Sequence, residues 1–190
     1  MVVRSTLRLH RGVTVWLTGL PGAGKSTIAR TIAERLRDDD VEIEVLDGDE
    51  LRATISSDLG FSPQDRDIQG RRVGYIAELL SSHRILTLVP VIAPMAVTRG
   101  AVRAHHTRRG TDFLEVYVAT PVGECARRDP KGMYAKAFAG ELHGFTGVDG
   151  IYEQPSAPDL RLDTTDIDPD TAAAGVLELL ADRGLLDDRP

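Results

Sequence analysis

The chain has 190 residues, is 42% hydrophobic and carries a formal net charge of -6. That is enough apolar material for one substantial core, and the wrong sign for a surface built to hold duplex DNA or an anionic bilayer. The single cysteine, Cys125, excludes a disulfide framework and a thiolate zinc site, and no run approaches the roughly 18 apolar residues of a membrane span.

The opening MVVRSTLRLHRG has scattered arginines and no apolar core of signal-peptide length, which sets the cytoplasm as the expected compartment. From Thr14 to Thr18 the chain is apolar and β-branched, the reading for a strand. GLPGAGKST then turns the chain, and Ile28, Ala29, Ile32, Ala33 and Leu36 recur at helical spacing. VEIEVLD at 41–47 alternates like a strand, 65–83 reads as a helix, and ILTLVPVIA at 85–93 is the near-continuous apolar run of a fully buried strand. A charged helix is predicted over 97–109, a strand over 113–119, a short proline-opened helix over 121–129 and a last strand over 159–163. An amphipathic helix over 169–186 closes the chain, with LDDRP expected to fray.

Strands separated by helices imply an α/β fold: a parallel sheet covered by helices on both faces, with ligands at the carboxyl ends of the strands. One domain over 1–190 is expected. Residues 130–158 break the alternation. They are rich in glycine and proline and long for a connection, the reading for a mobile lid. Of 23 basic residues only three are lysines, and Lys131 and Lys136 both lie in this stretch.

Gly19, Gly24, Lys25 and Ser26 satisfy G-x-x-x-x-G-K-[ST] between a predicted strand and a predicted helix, where a phosphate-binding loop belongs. Gly22, Ala23, Gly24, Lys25, Ser26 and Thr27 form the candidate ATP-phosphate cradle. In it Lys25 reaches the β and γ phosphates and Ser26 ligates Mg2+. In LDGDELR, Asp47 and Asp49 lie two apart at a strand's carboxyl end, so one carboxylate can hold the metal while the other takes a proton from an acceptor hydroxyl. Gly48 between them allows a sharp turn. Arg52, Arg66, Arg71 and Arg72 follow, guanidinium forks suited to a phosphate- or sulfate-bearing acceptor, although helical arginines also serve solubility alone. Phe61 and Phe145 sit in polar loops, where stacking on a base and anchoring the loop to the core are both open. His10, His83, His105, His106 and His143 show no ligand or triad spacing.

The blocks VWLTGLPGAGKSTIA, LDGDELR, DLGFSPQDR, RRVG, RDPKGMY and AGELHGFTGVDGIYEQP, in order from about Val13 to Pro158, resemble the adenylylsulfate kinase family of P-loop kinases. The resemblance implies an ATP-dependent, Mg2+-requiring kinase that phosphorylates the ribose 3′-hydroxyl of adenosine 5′-phosphosulfate (APS). It implies that Phe61 and Phe145 sandwich the acceptor adenine, that Arg52 and Arg66 contact the phosphosulfate, and that Gln69 and Ile92 lie on the acceptor side. Asp49 would lie near the 3′-hydroxyl, Asp47 near the metal, Lys131 in a closing lid and Arg128 near the ATP base. The family is usually dimeric, so a homodimer is expected.

The chain departs from the family pattern where the acceptor should sit. Ala93, Pro94, Met95 and Ala96 stand where the family commonly has serine, proline, an aromatic residue and arginine. The serine is often described as a phosphorylatable intermediate, which alanine cannot form, so transfer has to be direct. Gln69 replaces an asparagine and is followed by Gly70 inside a predicted helix, at about 1 kcal/mol relative to alanine. Ala135 and Phe138 replace basic residues in the lid. These edits leave open a diverged kinase acting on a different hydroxyl of a nucleotide or specialised metabolite.

Overall fold

The computed structural model describes residues 7–188. Five strands form one parallel sheet in the order β3-β4-β2-β5-β6: β3 (Ile43–Val45), β4 (Leu86–Pro90), β2 (Val13–Gly19), β5 (Asp112–Val118) and β6 (Leu160–Leu162). β2 is central and all seven of its residues are buried. Because successive side chains alternate between faces, Val13, Val15 and Leu17 join one core while Trp16 joins another. The first core is built with α1 (Lys25–Arg35) and α7 (Pro169–Asp182), through Ile28, Ile32, Ala173, Val176 and Leu180. The second is built with α3 (Pro63–Ser82) and α4 (Ala96–Arg109), through Val73, Ala77 and Val102. Among the described residues no helix is long and apolar enough to cross a membrane.

Gly70 has a packing role that its helix propensity hides. A Cβ added there would lie 2.5 Å from Thr98 Cγ2, and one at Gly74 would lie 2.6 Å from Val102 Cγ2. The two glycines let α3 lie close against α4, and α3 is started by Ser62, whose hydroxyl accepts from the Asp65 amide at 3.1 Å.

Short elements complete the chain. α2 (Gly48–Ala53) is N-capped by Asp47, α5 spans Val122–Arg128, and α6 (Met133–Phe138) lies inside the stretch expected to be a lid. The C-terminal expectation is corrected. α7 stops at Asp182 because Gly184, at φ +61°, donates to Ala181 O at 2.8 Å while Leu185 donates to Leu180 O at 2.9 Å. This double return is a Schellman stop, which a left-handed glycine makes cheap. The chain then forms β7 (Leu186–Asp188), paired antiparallel with β1 (Leu7–Leu9), so Leu186–Asp188 is strand and not fray. Leu185 and Leu186 are buried.

Candidate active site

The carboxyl ends of the parallel strands bring the candidate residues to one edge of the sheet, as this architecture requires. At the end of β2, residues 19–24 wrap ahead of α1 with Gly19, Gly22 and Gly24 at positive φ. Gly24, at φ +100°, is the N-cap of α1, so the first amides of that helix have no intrahelical acceptor and face the loop. Lys25 is buried, and its Nζ donates to Gly19 O at 3.0 Å and Leu20 O at 2.7 Å. Burial lowers its pKa to about 8, a shift opposed by Cys125, Asp49 and Asp47 and assisted by Lys131.

Ser26 Oγ donates to Asp47 Oδ2 at 2.8 Å, which joins the start of α1 to the end of β3. The other oxygen of Asp47 accepts from the Asp49 amide at 3.0 Å and caps α2. Gly48 is not among the positive-φ residues. It is small because Val91 Cγ1 would lie 3.1 Å from a Cβ placed there, so close approach to the end of β4 and not a left-handed turn explains this glycine. Ser26 and Asp47 offer two neighbouring hard oxygens beside the phosphate loop, a donor set that fits Mg2+, which takes one or two protein oxygens and completes its shell with phosphate and water. Asp49 points elsewhere. It is exposed and ion-paired with Lys131.

The four arginines separate into two pairs. Arg52 and Arg66 flank the exposed ring of Phe61, with guanidinium carbons 4.6 Å and 5.7 Å from its centroid. Among the described residues neither has a carboxylate partner, and burial beside Arg52 lowers the pKa of Arg66 from its usual value. Arg66 also donates to Phe61 O at 3.0 Å and to Gly144 O at 3.3 Å, tying the Phe61 loop to the Phe145 loop. Arg71 and Arg72 are committed elsewhere, to Asp67 and Asp58. Phe145 is a core side chain, 6% exposed and edge-on to Tyr134 with centroids 4.9 Å apart. Of the two roles open for it from its sequence, anchoring is the one seen in the packing. Gln69 is buried, and among the described residues neither polar atom of its carboxamide has a hydrogen-bond partner.

A hub around Arg99 escaped the sequence reading. Its buried guanidinium donates to Glu115 Oε1 at 2.7 Å, Ala93 O at 2.7 Å and Glu153 O at 2.6 Å, so β5, the loop after β4 and the end of the 130–158 segment share one cation. The loop is fixed further where Thr18 Oγ1 donates to Ile92 O at 2.6 Å and contacts the Tyr152 hydroxyl at 2.9 Å. Ala93 is held at φ +42°, a left-handed conformation that costs a residue with a Cβ on the order of 1 kcal/mol. Arg99, gripping its carbonyl, helps over-determine that conformation.

At the end of the phosphate loop a groove of about 210 Å³ is lined by Gly24, Thr27, Arg128, Thr164, Ile167 and Pro169. Arg128 donates to Thr164 Oγ1 at 2.8 Å and to Glu124 Oε1 at 2.8 Å. The sequence signalled Arg128 and Thr27 but not Thr164, Ile167 or Pro169, which reach the groove only through the parallel addition of β6 to β5.

Residues 11–163 match the family model described as adenylylsulphate kinase, about four fifths of the chain. The chain belongs to the adenylylsulphate kinase family. Among its adenylylsulphate kinase relatives, the adenylyl-sulfate kinase of Myxococcus xanthus is 46% identical over 179 residues, covering 93% of this chain and 95% of that one. The APS kinase CysC of Mycobacterium tuberculosis, solved in complex with AMPPNP and APS, superposes with a TM-score of 0.87 at 47% identity over 90% of this chain and 98% of that one. The bifunctional enzyme NodQ of Azospirillum brasilense is 48% identical over 184 residues, and the chain spans 29% of its length. The fold and the element order described above are therefore those of an adenylylsulphate kinase domain.

Proposed function

We propose that this chain transfers the γ-phosphate of ATP to the 3′-hydroxyl of APS by direct in-line displacement, giving 3′-phosphoadenosine 5′-phosphosulfate (PAPS). The observation that carries the reading is the cluster of Arg52, Phe61 and Arg66, two cations held by backbone carbonyls around an exposed ring, tied by Arg66 to the Phe145 loop and by α2 to Asp47, the partner of Ser26. A base with a dianionic tail matches that arrangement of ring and cations.

In this reading ATP lies with its base toward Arg128 and its phosphates in the amides of residues 22–27, with Lys25 on the β and γ oxygens. Ser26 and Asp47 would hold Mg2+, which would neutralise phosphate charge there. Asp49 orients the 3′-hydroxyl and accepts its proton as the bond from the 3′-oxygen to the γ-phosphorus forms. The bond from that phosphorus to the β–γ bridging oxygen breaks, and ADP leaves with the electron pair. The pairing of Asp47 with Ser26, and of Asp49 with Lys131, supports this division of labour between the two carboxylates. Ala93 has no hydroxyl, so no phosphoseryl intermediate forms at that position. The lid role falls to the exposed part of 130–158 around Lys131, because Tyr134, Ala137 and Phe145 pin the rest into the core. A cytoplasmic homodimer completes the proposal.

A second reading, transfer to another hydroxyl, is favoured by Gln69, whose buried unpartnered carboxamide asks for a polar ligand group, together with the missing hydroxyl at Ala93. The deciding experiment is ATP consumption by the purified protein with Mg2+ and APS, with the product identified by mass. APS-dependent PAPS formation establishes the first reading. ATP binding without APS-dependent turnover replaces it with the second.

A further inference from the structure

The carbonyl of Ala23, inside the phosphate loop, is held from behind by two threonine hydroxyls. Thr120 Oγ1, just past β5, donates to Ala23 O at 3.1 Å, and Thr164 Oγ1, just past β6, donates to it at 3.0 Å. The two hydroxyls are also 2.8 Å from each other, and both residues are buried. Arg128 donates to Thr164 Oγ1 at 2.8 Å and the Thr164 amide to Thr120 Oγ1 at 3.3 Å, so each hydroxyl oxygen is already an acceptor. Two hydroxyl groups cannot each donate to the other. Hence every arrangement of their two protons that satisfies these contacts puts at least one on the Ala23 carbonyl.

The peptide joining Ala23 to Gly24 is planar and trans, so its N–H points opposite to its C=O. A carbonyl fixed toward the ends of β5 and β6 therefore aims the Gly24 amide the other way, away from those strand ends. Gly24 sits at φ +100°, a conformation that its missing Cβ permits but does not impose, and the two hydroxyls supply a constraint on that peptide from outside the loop. Arg128 ties that constraint to the base-side groove by contacting the same hydroxyl that holds the carbonyl.

We infer that Thr120 and Thr164 are positioning residues for nucleotide binding, which set the Ala23–Gly24 peptide so that its amide faces the phosphates and which link that setting to Arg128. The inference rests on the reading of residues 19–27 as the ATP-phosphate loop. It goes beyond that reading by giving the loop's geometry to two side chains outside it.

The test is ADP titration by calorimetry, alongside steady-state KM for ATP and for APS and a thermal melt, in Thr164→Val, Thr120→Val, Thr164→Ser and Lys25→Ala. Valine keeps the shape and removes the hydroxyl. The expected result is an ADP Kd and an ATP KM raised about tenfold in each valine variant, the change that 1.4 kcal/mol makes, with the APS KM unchanged and Thr164→Ser within about twofold of the parent. The melt separates positioning from collapse. If Thr164→Val does not fold, Thr120→Val and Thr164→Ser carry the comparison. ADP affinity unchanged in both valine variants, with Lys25→Ala having lost it, overturns the inference and leaves the phosphate-loop reading standing. ADP affinity retained in Lys25→Ala overturns both.

Discussion

Lys131, between α5 and α6, reaches back across 82 positions of chain to form an ion pair with Asp49, just beyond β3. Both side chains are largely exposed, 60% and 77%. In this arrangement the cation of the proposed lid is paired with the proposed general base. An exposed pair of this kind contributes at most about 1 kcal/mol to stability. Lys131→Met is therefore expected to leave the melting temperature nearly unchanged while lowering kcat/KM for APS at least tenfold, with Lys131→Arg retaining most activity. Equal kcat/KM for parent and methionine variant would remove Lys131 from the site.

Lys25 gives a pH dependence with a definite sign. Its folded pKa is depressed to about 8 by burial, against 10.5 in the unfolded chain. Between these values the unfolded state binds more protons than the folded one, so this group adds stability as pH rises from about 8 toward 10.5 and costs stability below that window. Lys25→Met should thus melt higher than the parent at pH 7, and the difference should shrink above pH 8. Meanwhile kcat/KM for ATP, which reports the free enzyme, should fall in the parent as pH rises through about 8, and Lys25→Met should show no phosphoryl transfer at any pH.

Phe61 and Phe145 call for opposite experiments. Phe61 is 66% exposed, so Phe61→Ala should fold normally and raise the APS KM by roughly 10- to 100-fold, the loss of about 1–3 kcal/mol of base stacking. Phe145→Ala removes a core ring and should cost about 3–5 kcal/mol of stability, visible as a large drop in melting temperature before any kinetic effect is read. A Phe61→Ala enzyme with an unchanged APS KM would reject stacking on that ring.

Ala93→Ser tests the edit in the loop after β4. The backbone is already held by Arg99 and Thr18, so the serine adds a hydroxyl without a new loop conformation to form. One added hydrogen bond of about 0.5–1.5 kcal/mol should lower the APS KM roughly two- to tenfold. An unchanged KM would mean that the pocket has been refitted around alanine, in favour of a different acceptor.

The parts of this protein legible in its sequence are those written in local chemistry. Glycines at fixed offsets before a lysine, a strand run ending in D-G-D and helical periodicity after the loop pointed to the element order, the candidate phosphate cradle and the candidate metal-side oxygens, because backbone freedom and side-chain period act over a few residues. The family blocks pointed to the candidate acceptor residues. What the tertiary structure decided are pairings across the chain. Thr120 and Thr164 converge on Ala23 although 44 positions separate them, and Arg99 binds Glu153 across 54. Phe145 is buried while Phe61 is exposed, and Leu186–Asp188 becomes strand because β1 lies beside it. Residue type and spacing do not encode such contacts. They arise when parallel strands from distant segments align their carboxyl ends at one edge, where each buried polar group takes the partner that the register supplies.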